Sequence, residues 1–215
     1  MSESDKDVPE TSEHDAAEPD VVEAPSKPKA EDPDALRRKW RLFAIVSVLS
    51  LVADQATKIW ARASLPTHPD NCAIPDDIMT GHCVGKPVGV IDSFWHWRLS
   101  MNPGSAFGLF SSGGAWARIG LSVIGIVAVV GMLSMLKKSR LDQKILHWAL
   151  ALVASGAVGN LIDRIAYGDV IDFLDVYWRD WHWPAFNVAD SFITVGVVVL
   201  LLRGVLVRED AEPAG

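Results

Sequence analysis

Four aspartates in this chain lie in or beside its most apolar sequence: Asp54, Asp163, Asp172 and Asp190. Asp190 is followed by Ser191 to Leu202, twelve residues without a charge. A charged group at a bilayer centre costs roughly 2.5–3.5 kcal/mol on insertion scales, so carboxylates kept there mark a functional site by default. Two of the four recur in one pattern, Asn160-x-x-Asp163 in "GAVGNLIDR" and Asn187-x-x-Asp190 in "PAFNVADS". Positions three apart share a helix face, so each helix presents an amide beside a carboxylate. An amide can hold a carboxylate by hydrogen bonding or donate to a substrate carbonyl. Lys58 follows Asp54 by one turn on the same face.

The elements that must carry these residues read as membrane spans. Ile119 to Leu136 is eighteen residues without a charge, and Ile145 to Ile162 is eighteen more, interrupted only by His147. Each approaches the ~20 residues needed to cross ~30 Å of hydrocarbon. Two weaker spans flank them: Leu42 to Trp60, broken by Asp54 and Lys58, and Phe186 to Leu202, broken by Asp190. The fold expected is mainly α, a polytopic membrane protein whose four transmembrane helices cover about residues 42–60, 115–136, 145–165 and 186–206, within a domain of residues 37–208. Four such helices buried in a soluble protein would leave little polar surface.

Residues 1–36 are different, with twelve acidic residues against three lysines, and five of the twelve prolines. Such a stretch cannot bury enough apolar surface to offset the entropy of ordering, so it is expected to be a disordered acidic cytoplasmic tail. Residues 209–215 form a short C-terminal tail. A basic nucleic-acid footprint is absent. Arg37, Arg38, Lys39 and Arg41 precede the first span, and Lys137, Lys138, Arg140 and Lys144 fill the second connection. The positive-inside rule puts both in the cytoplasm, giving N-in and C-in, with residues 61–112 and 167–184 outside. Trp95, Trp97, Trp178, Trp181 and Trp183 then fall in outer segments, as an interfacial aromatic belt would have them. No cleavable signal peptide is read at the N-terminus, so the first span is expected to serve as an anchor.

On this topology the polar groups reach one depth, the outer third of the membrane. Asp54 lies about 18 Å up the first helix, Asn160 and Asp163 about 23 and 27 Å up the third, and Asn187 and Asp190 open the fourth. Asp172 is expected in the outer loop between the last two. Gly156 and Gly159 would let a neighbouring helix approach closely. Asn102-Pro103-Gly104 in "SMNPGSAFGLF" reads as a turn. Arg164 directly follows Asp163 and is expected to hold it ionised as a structural ion pair. Asp175 reads as solvated or locally bonded in the loop, and His147 as structural near the cytoplasmic end. Cys72 and Cys83 in an oxidising compartment favour a disulfide. Zinc held with His68 and His82 is the alternative, although adjacent His82-Cys83 is a poor ligand spacing. Two other functions fit polar groups in helices: an ion- or proton-coupled transporter, and a scaffold whose polar residues only hold helices together.

The residues then match a family. "DQATK" at Asp54 to Lys58, "NPGSAFG" at Asn102 to Gly108, "GNLIDR" at Asn160 to Arg164, "VIDF" at Val170 to Phe173 and "FNVAD" at Phe186 to Asp190 stand in order across about residues 40–206. In this the chain resembles lipoprotein signal peptidase (signal peptidase II), membrane aspartyl proteases that remove signal peptides from bacterial prolipoproteins. The resemblance implies a catalytic pair at Asp172 and Asp190. It implies supporting or substrate-binding roles for Asp54, Lys58, Asn102, Gly104, Asn160, Asp163, Arg164 and Asn187. It further implies a small extracytoplasmic β-rich cradle and an interfacial helix, supplied by the segment between Ala61 and Leu99. Neither metal nor organic cofactor is implied. The partners implied are lipid-modified prolipoproteins and membrane lipids, with the enzyme a monomer in the bacterial cytoplasmic (inner) membrane and its site at the outer face. Two carboxylates that close together cannot both ionise easily, so they share a proton and act as base and acid in turn. Which of them starts protonated is left open by the sequence. The acidic tail and a long outer segment around "HPDNCAIPDDIMTGHC" depart from the family pattern.

Overall fold

The computed structural model describes residues 32–68, 84–103 and 114–209, within the compact unit Asp32–Gly215. Gly104, Cys72, Cys83 and His82, and with them the disulfide and zinc expectations, lie outside the described residues, as do residues 1–31 and 210–215. Among the described residues four helices dominate: α1 (Pro33–Ser64), α2 (Gly114–Lys138), α3 (Lys144–Ala166) and α4 (Val188–Glu209). Between them run the short strands β1 (Thr67–His68), β2 (Val84–Gly85), β3 (Val88–Ile91), β4 (Trp95–Asn102), β5 (Val170–Trp178) and β6 (Trp181–His182).

Among the described residues three helices are long and apolar enough to cross a membrane: α1, α2 from Arg118 onward, and α3. Their burial ranks their roles. More than half of the apolar window of α3 is buried, against 6% for α2, because α1, α2 and α4 all pack on α3. The outward sides of α1 and α2 are Ile, Val and Leu, such as Val48, Leu49, Ile124 and Val127, more than half exposed. Only a lipid environment suits so much bare apolar helix.

The start of α1 corrects the expected tail boundary. Residues 33–36, placed in a disordered tail, form the first helical turn. The Asp32 side chain accepts the Asp34 N–H at 3.0 Å as N-cap, Pro33 sits where its missing N–H costs nothing, and Asp34 complements the helix dipole. The last helix runs to Glu209, one residue into the expected C-terminal tail. At the expected cytoplasmic end, buried Lys39 donates to Lys137 O and Ser139 O at 3.3 and 2.8 Å, closing the C-terminus of α2 with positive charge. His147 Nε2 lies beside this, 3.1 Å from Arg140 O.

Asp172 is not in a loop. β5, "VIDFLDVYW", is rich in β-branched and aromatic residues, and it becomes an inner strand of a four-stranded antiparallel sheet in the order β3-β4-β5-β6. Ser100 pairs with Asp172 and Asn102 with Val170, so Asn102 ends β4. The sheet therefore draws half its strands from residues 170–182, beyond the segment 61–99 expected to supply it. Two further strands of that segment, β1 and β2, pair separately, and Gly85 of β2 presses its bare Cα on Leu99. Residues 69–83 of that segment lie outside the described residues, and with them the expectation of an interfacial helix. Ile171 and Phe173 pack with Ala61, Leu65 and Leu99, fixing the sheet on the end of α1. Of the two expectations for Asp175 the local bond holds: it is buried, with His182 across the β5–β6 hairpin at 2.9 Å.

Candidate active site

The site is assembled where α1, α3, α4 and β5 meet. Its first half is ionic. Lys58 Nζ reaches Asp54 Oδ2 and Asp163 Oδ2, each at 2.9 Å, and donates to Asn160 Oδ1 at 3.0 Å, so its three donors have three acceptors. All three charged side chains are 1% exposed. The carboxylates are bonded further: Asp54 Oδ1 accepts the Ala189 N–H at 2.9 Å, and Asp163 Oδ2, besides Lys58, accepts the Ile171 N–H at 3.1 Å. One lysine thus ties α1 to α3, while its two carboxylates position α4 and β5.

Asp163 therefore does not rely on the partner expected for it. Its carboxylate is taken by Lys58, whereas Arg164 Nη1 donates to Asn160 O at 3.3 Å. Successive helical residues point about 100° apart, so neighbours in sequence do not face each other. Gln55 also belongs to the site, with Nε2 3.0 Å from Asp54 Oδ2 and 3.4 Å from Asp163 Oδ1. The only signal for it was its place beside Asp54 in "DQATK".

The second half is built from amides. Asn187 is the N-cap of α4: its Oδ1 accepts the Asp190 N–H at 2.9 Å, while Asp190 Oδ2 accepts the Asn187 N–H at 3.1 Å. This reciprocal capping box explains the spacing in "NVAD", and it locks the Asp190 rotamer in the first turn of a helix, where the dipole favours negative charge. The Asn187 Nδ2 donates to Asp172 Oδ1 at 2.8 Å and to Asn160 Oδ1 at 3.1 Å. Asn102 Nδ2 donates to Asp172 Oδ2 at 2.9 Å, and Asn160 Nδ2 to Asp190 Oδ1 at 2.7 Å. Asn187 therefore touches both carboxylates, with its backbone and its side chain. Nine of the ten residues singled out from the sequence, all but Gly104, stand in this one assembly.

Burial, and next the nearby charge of Asp190, push the Asp172 carboxyl up to about 8 against the lowering effect of its amide bonds. Beside the pair opens a cavity of about 580 Å³, lined by Asn102, Asn160, Arg164 and Asp190 and by apolar side chains including Val170, Phe186 and Ile193.

The sequence match decides what this assembly belongs to, since residues 46–206 fit the family described as Signal peptidase (SPase) II. The chain belongs to the signal peptidase II family. A lipoprotein signal peptidase from Geobacter metallireducens is 40% identical over 167 residues, covering 78% of this chain and 92% of that protein. One from Geobacter sulfurreducens is 37% identical over 180 residues, covering 83% of this chain and 99% of its own. A solved bacterial membrane enzyme, determined by the in meso method, is similar with a TM-score of 0.62 at 25% identity, over 80% of this chain and 93% of that one.

In this signal peptidase II chain the glycines of α3 leave room for the site. Gly156 faces Ala189 O, and a Cβ on Gly159 would run into the Asp54 carboxylate. The close approach of α3 to α4 depends on Gly156, and that of α3 to the Asp54 side chain of α1 on Gly159. Gly159→Ala should displace Asp54 from Ala189 and lower the amount of folded, detergent-extractable protein severalfold. Wild-type yield and melting temperature for this variant would show that Asp54 does not need that space.

Proposed function

We propose that the chain is a membrane aspartic endopeptidase that removes the signal peptide from diacylglyceryl-modified prolipoproteins, cutting before the lipidated cysteine, with Asp172 and Asp190 as its catalytic pair. The observation carrying this reading is that Asn187 bonds both carboxylates, one of which, Asp190, lines a largely apolar cavity. Membership of the signal peptidase II family and the names of the relatives support the substrate class. On this reading α4, 22 residues long, is the fourth span. At 1.5 Å per residue it extends ~33 Å, enough to cross. The chain then lies in the bacterial inner membrane, N-in and C-in, with residues 37–208 as a monomeric peptidase domain and the site at the outer face.

The chemistry needs one proton on the pair. We place it on Asp172, whose ionisation burial and the charge of Asp190 both oppose. Asp190, ionised, takes a proton from water, whose oxygen attacks the scissile carbonyl carbon, while Asp172 donates to the carbonyl oxygen. On collapse of the tetrahedral intermediate the carbonyl proton returns to Asp172 and Asp190 gives its proton to the leaving amine. Each Asp ends as it began. Asn102 and Asn187 keep Asp172 oriented throughout. The diacylglyceryl group and the apolar signal segment both partition into lipid, which delivers the bond to this depth.

Two measurements test the reading. Purified protein incubated with a diacylglyceryl-modified prolipoprotein should release a shortened product, and the unmodified precursor should be left intact. Equal cleavage of both would remove the lipid from the recognition. The pH dependence has a definite sign as well. A carboxyl with a raised pKa is neutral below it, so turnover that needs protonated Asp172 is present below about 8 and lost as pH rises through that value. Above it kcat should approach a tenfold fall per pH unit. Turnover flat to pH 10 on folded enzyme would contradict a protonated Asp172.

A further inference from the structure

The turn between α3 and β5 is gripped from two sides by residues the proposed chemistry does not use. Arg62, in the last turn of α1, stacks over the Tyr167 ring at 4.1 Å. Arg118, near the start of α2, reaches across with its Nε 3.1 Å from Asp169 Oδ1, and the Asp169 side chain is 4% exposed. Between them Gly168 has φ +84°, and a Cβ there would stand 2.7 Å from Arg118 Nη1. The guanidinium therefore lies against a bare Cα, in a place only glycine leaves open. Neither Arg118 nor Asp169 belongs to the motifs that carry the family resemblance.

What this turn holds is the start of β5. Asp169 is followed by Val170, in register with Asn102, by Ile171, whose N–H goes to Asp163, and by Asp172. We propose that the Arg118–Asp169 ion pair is a latch that positions Asp172, coupling the outer end of α2 to the strand that carries the catalytic carboxylate. Arg118 acts through Asp169 and the backbone, so it is a positioning residue; the inference rests on Asp172 being catalytic. The physical reason is the cost of a buried carboxylate that loses its cation. Without Arg118, Asp169 is drawn out toward water or toward Arg164, the second cation in its reach. Either move drags Val170 and shifts Asp172 against Asn102, and misplacing a reacting group by about 1 Å can cost ~100-fold in rate.

The test is single-turnover and steady-state cleavage of a diacylglyceryl-modified prolipoprotein by the full chain in detergent, normalised to folded protein. Arg118→Gln should lower kcat by roughly tenfold with KM within about twofold, because the cavity lining is unchanged. Arg118→Lys should retain most of the rate. The double variant Arg118→Gln/Asp169→Asn should recover most of what Arg118→Gln loses, since no buried charge is then left uncompensated. A role confined to stability would lower folded yield and leave kcat per folded molecule at the wild-type value, and that result overturns the latch. So does a double variant as slow as Arg118→Gln. If Arg118→Gln is obtained only unfolded, the latch stands if Arg118→Lys or Asp169→Asn lowers kcat severalfold and falls if both keep wild-type kcat. Asp172→Asn in parallel separates the two ideas: an active Asp172→Asn removes the catalytic reading itself, whereas a dead one beside an unaffected Arg118→Gln removes the latch alone.

Discussion

Asp172→Asn and Asp190→Asn should each slow single-turnover cleavage by roughly a thousandfold or more, and the double variant should be no slower than either single one. In the proposed mechanism base and acid act on one water and one carbonyl, so removing either ends the same step. Each aspartate uses both oxygens: Asp172 accepts from Asn102 and Asn187, Asp190 from the Asn160 side chain and the Asn187 backbone. An asparagine offers one acceptor, which leaves one of those donors facing an NH2. Rates must therefore be normalised to folded protein, and a melting curve belongs beside each. Full activity in Asp172→Asn, with a well-folded but inactive Asp163→Asn, would move the partnership of Asp190 to Asp163.

Lys58→Met should be the most damaging change to stability. Lys58 is the shared cation of Asp54 and Asp163, all three buried. Removing one partner of a buried ionic group costs about 3–5 kcal/mol because the charge left behind is uncompensated. Here two carboxylates are left, and with them the anchors of Ala189 and Ile171. That is a large share of the ~5–15 kcal/mol by which a typical protein is stable. Asp163→Asn should be milder, since an amide oxygen can still accept the Ile171 N–H and Lys58 keeps Asp54. The ranking is read from the yield of folded protein and the melting temperature in detergent. Lys58→Met at wild-type yield and melting temperature would mean that the triad carries no net stabilisation.

The helices were legible because charge-free runs are long and abruptly bounded. Ile119 to Leu136 lies inside α2 by a few residues, and Ile145 to Ile162 inside α3. The repeated Asn-x-x-Asp was legible too, because helical periodicity alone puts the amide and the acid on one face. Three things were hidden, each for a stated cause. The strand carrying Asp172 is buried on both sides at its start, so it lacks the alternation that marks a half-exposed strand. Asp163 is paired by a lysine more than a hundred residues earlier in sequence, a contact that packing of α1 on α3 creates and no local pattern announces. The first turn of α1 was masked by the acidic composition around it, although Asp32, Pro33 and Asp34 are themselves a start signal.

The reciprocal bond between Asn187 and Asp190 has a consequence for inhibition. A compound that grips Asp190 and the Asn187 amide engages two groups that also begin a helix. A helix cap is worth ~0.5–2 kcal/mol, so a substitution that loosens the drug there would weaken α4 as well as end turnover. Escape at the floor of the site is closed by folding and chemistry together. Resistance would have to arise at the rim, in the Trp183–Pro184–Ala185 stretch that lines the cavity without capping anything. Selection for drug-tolerant strains should return changes there and spare the "NVAD" tetrad.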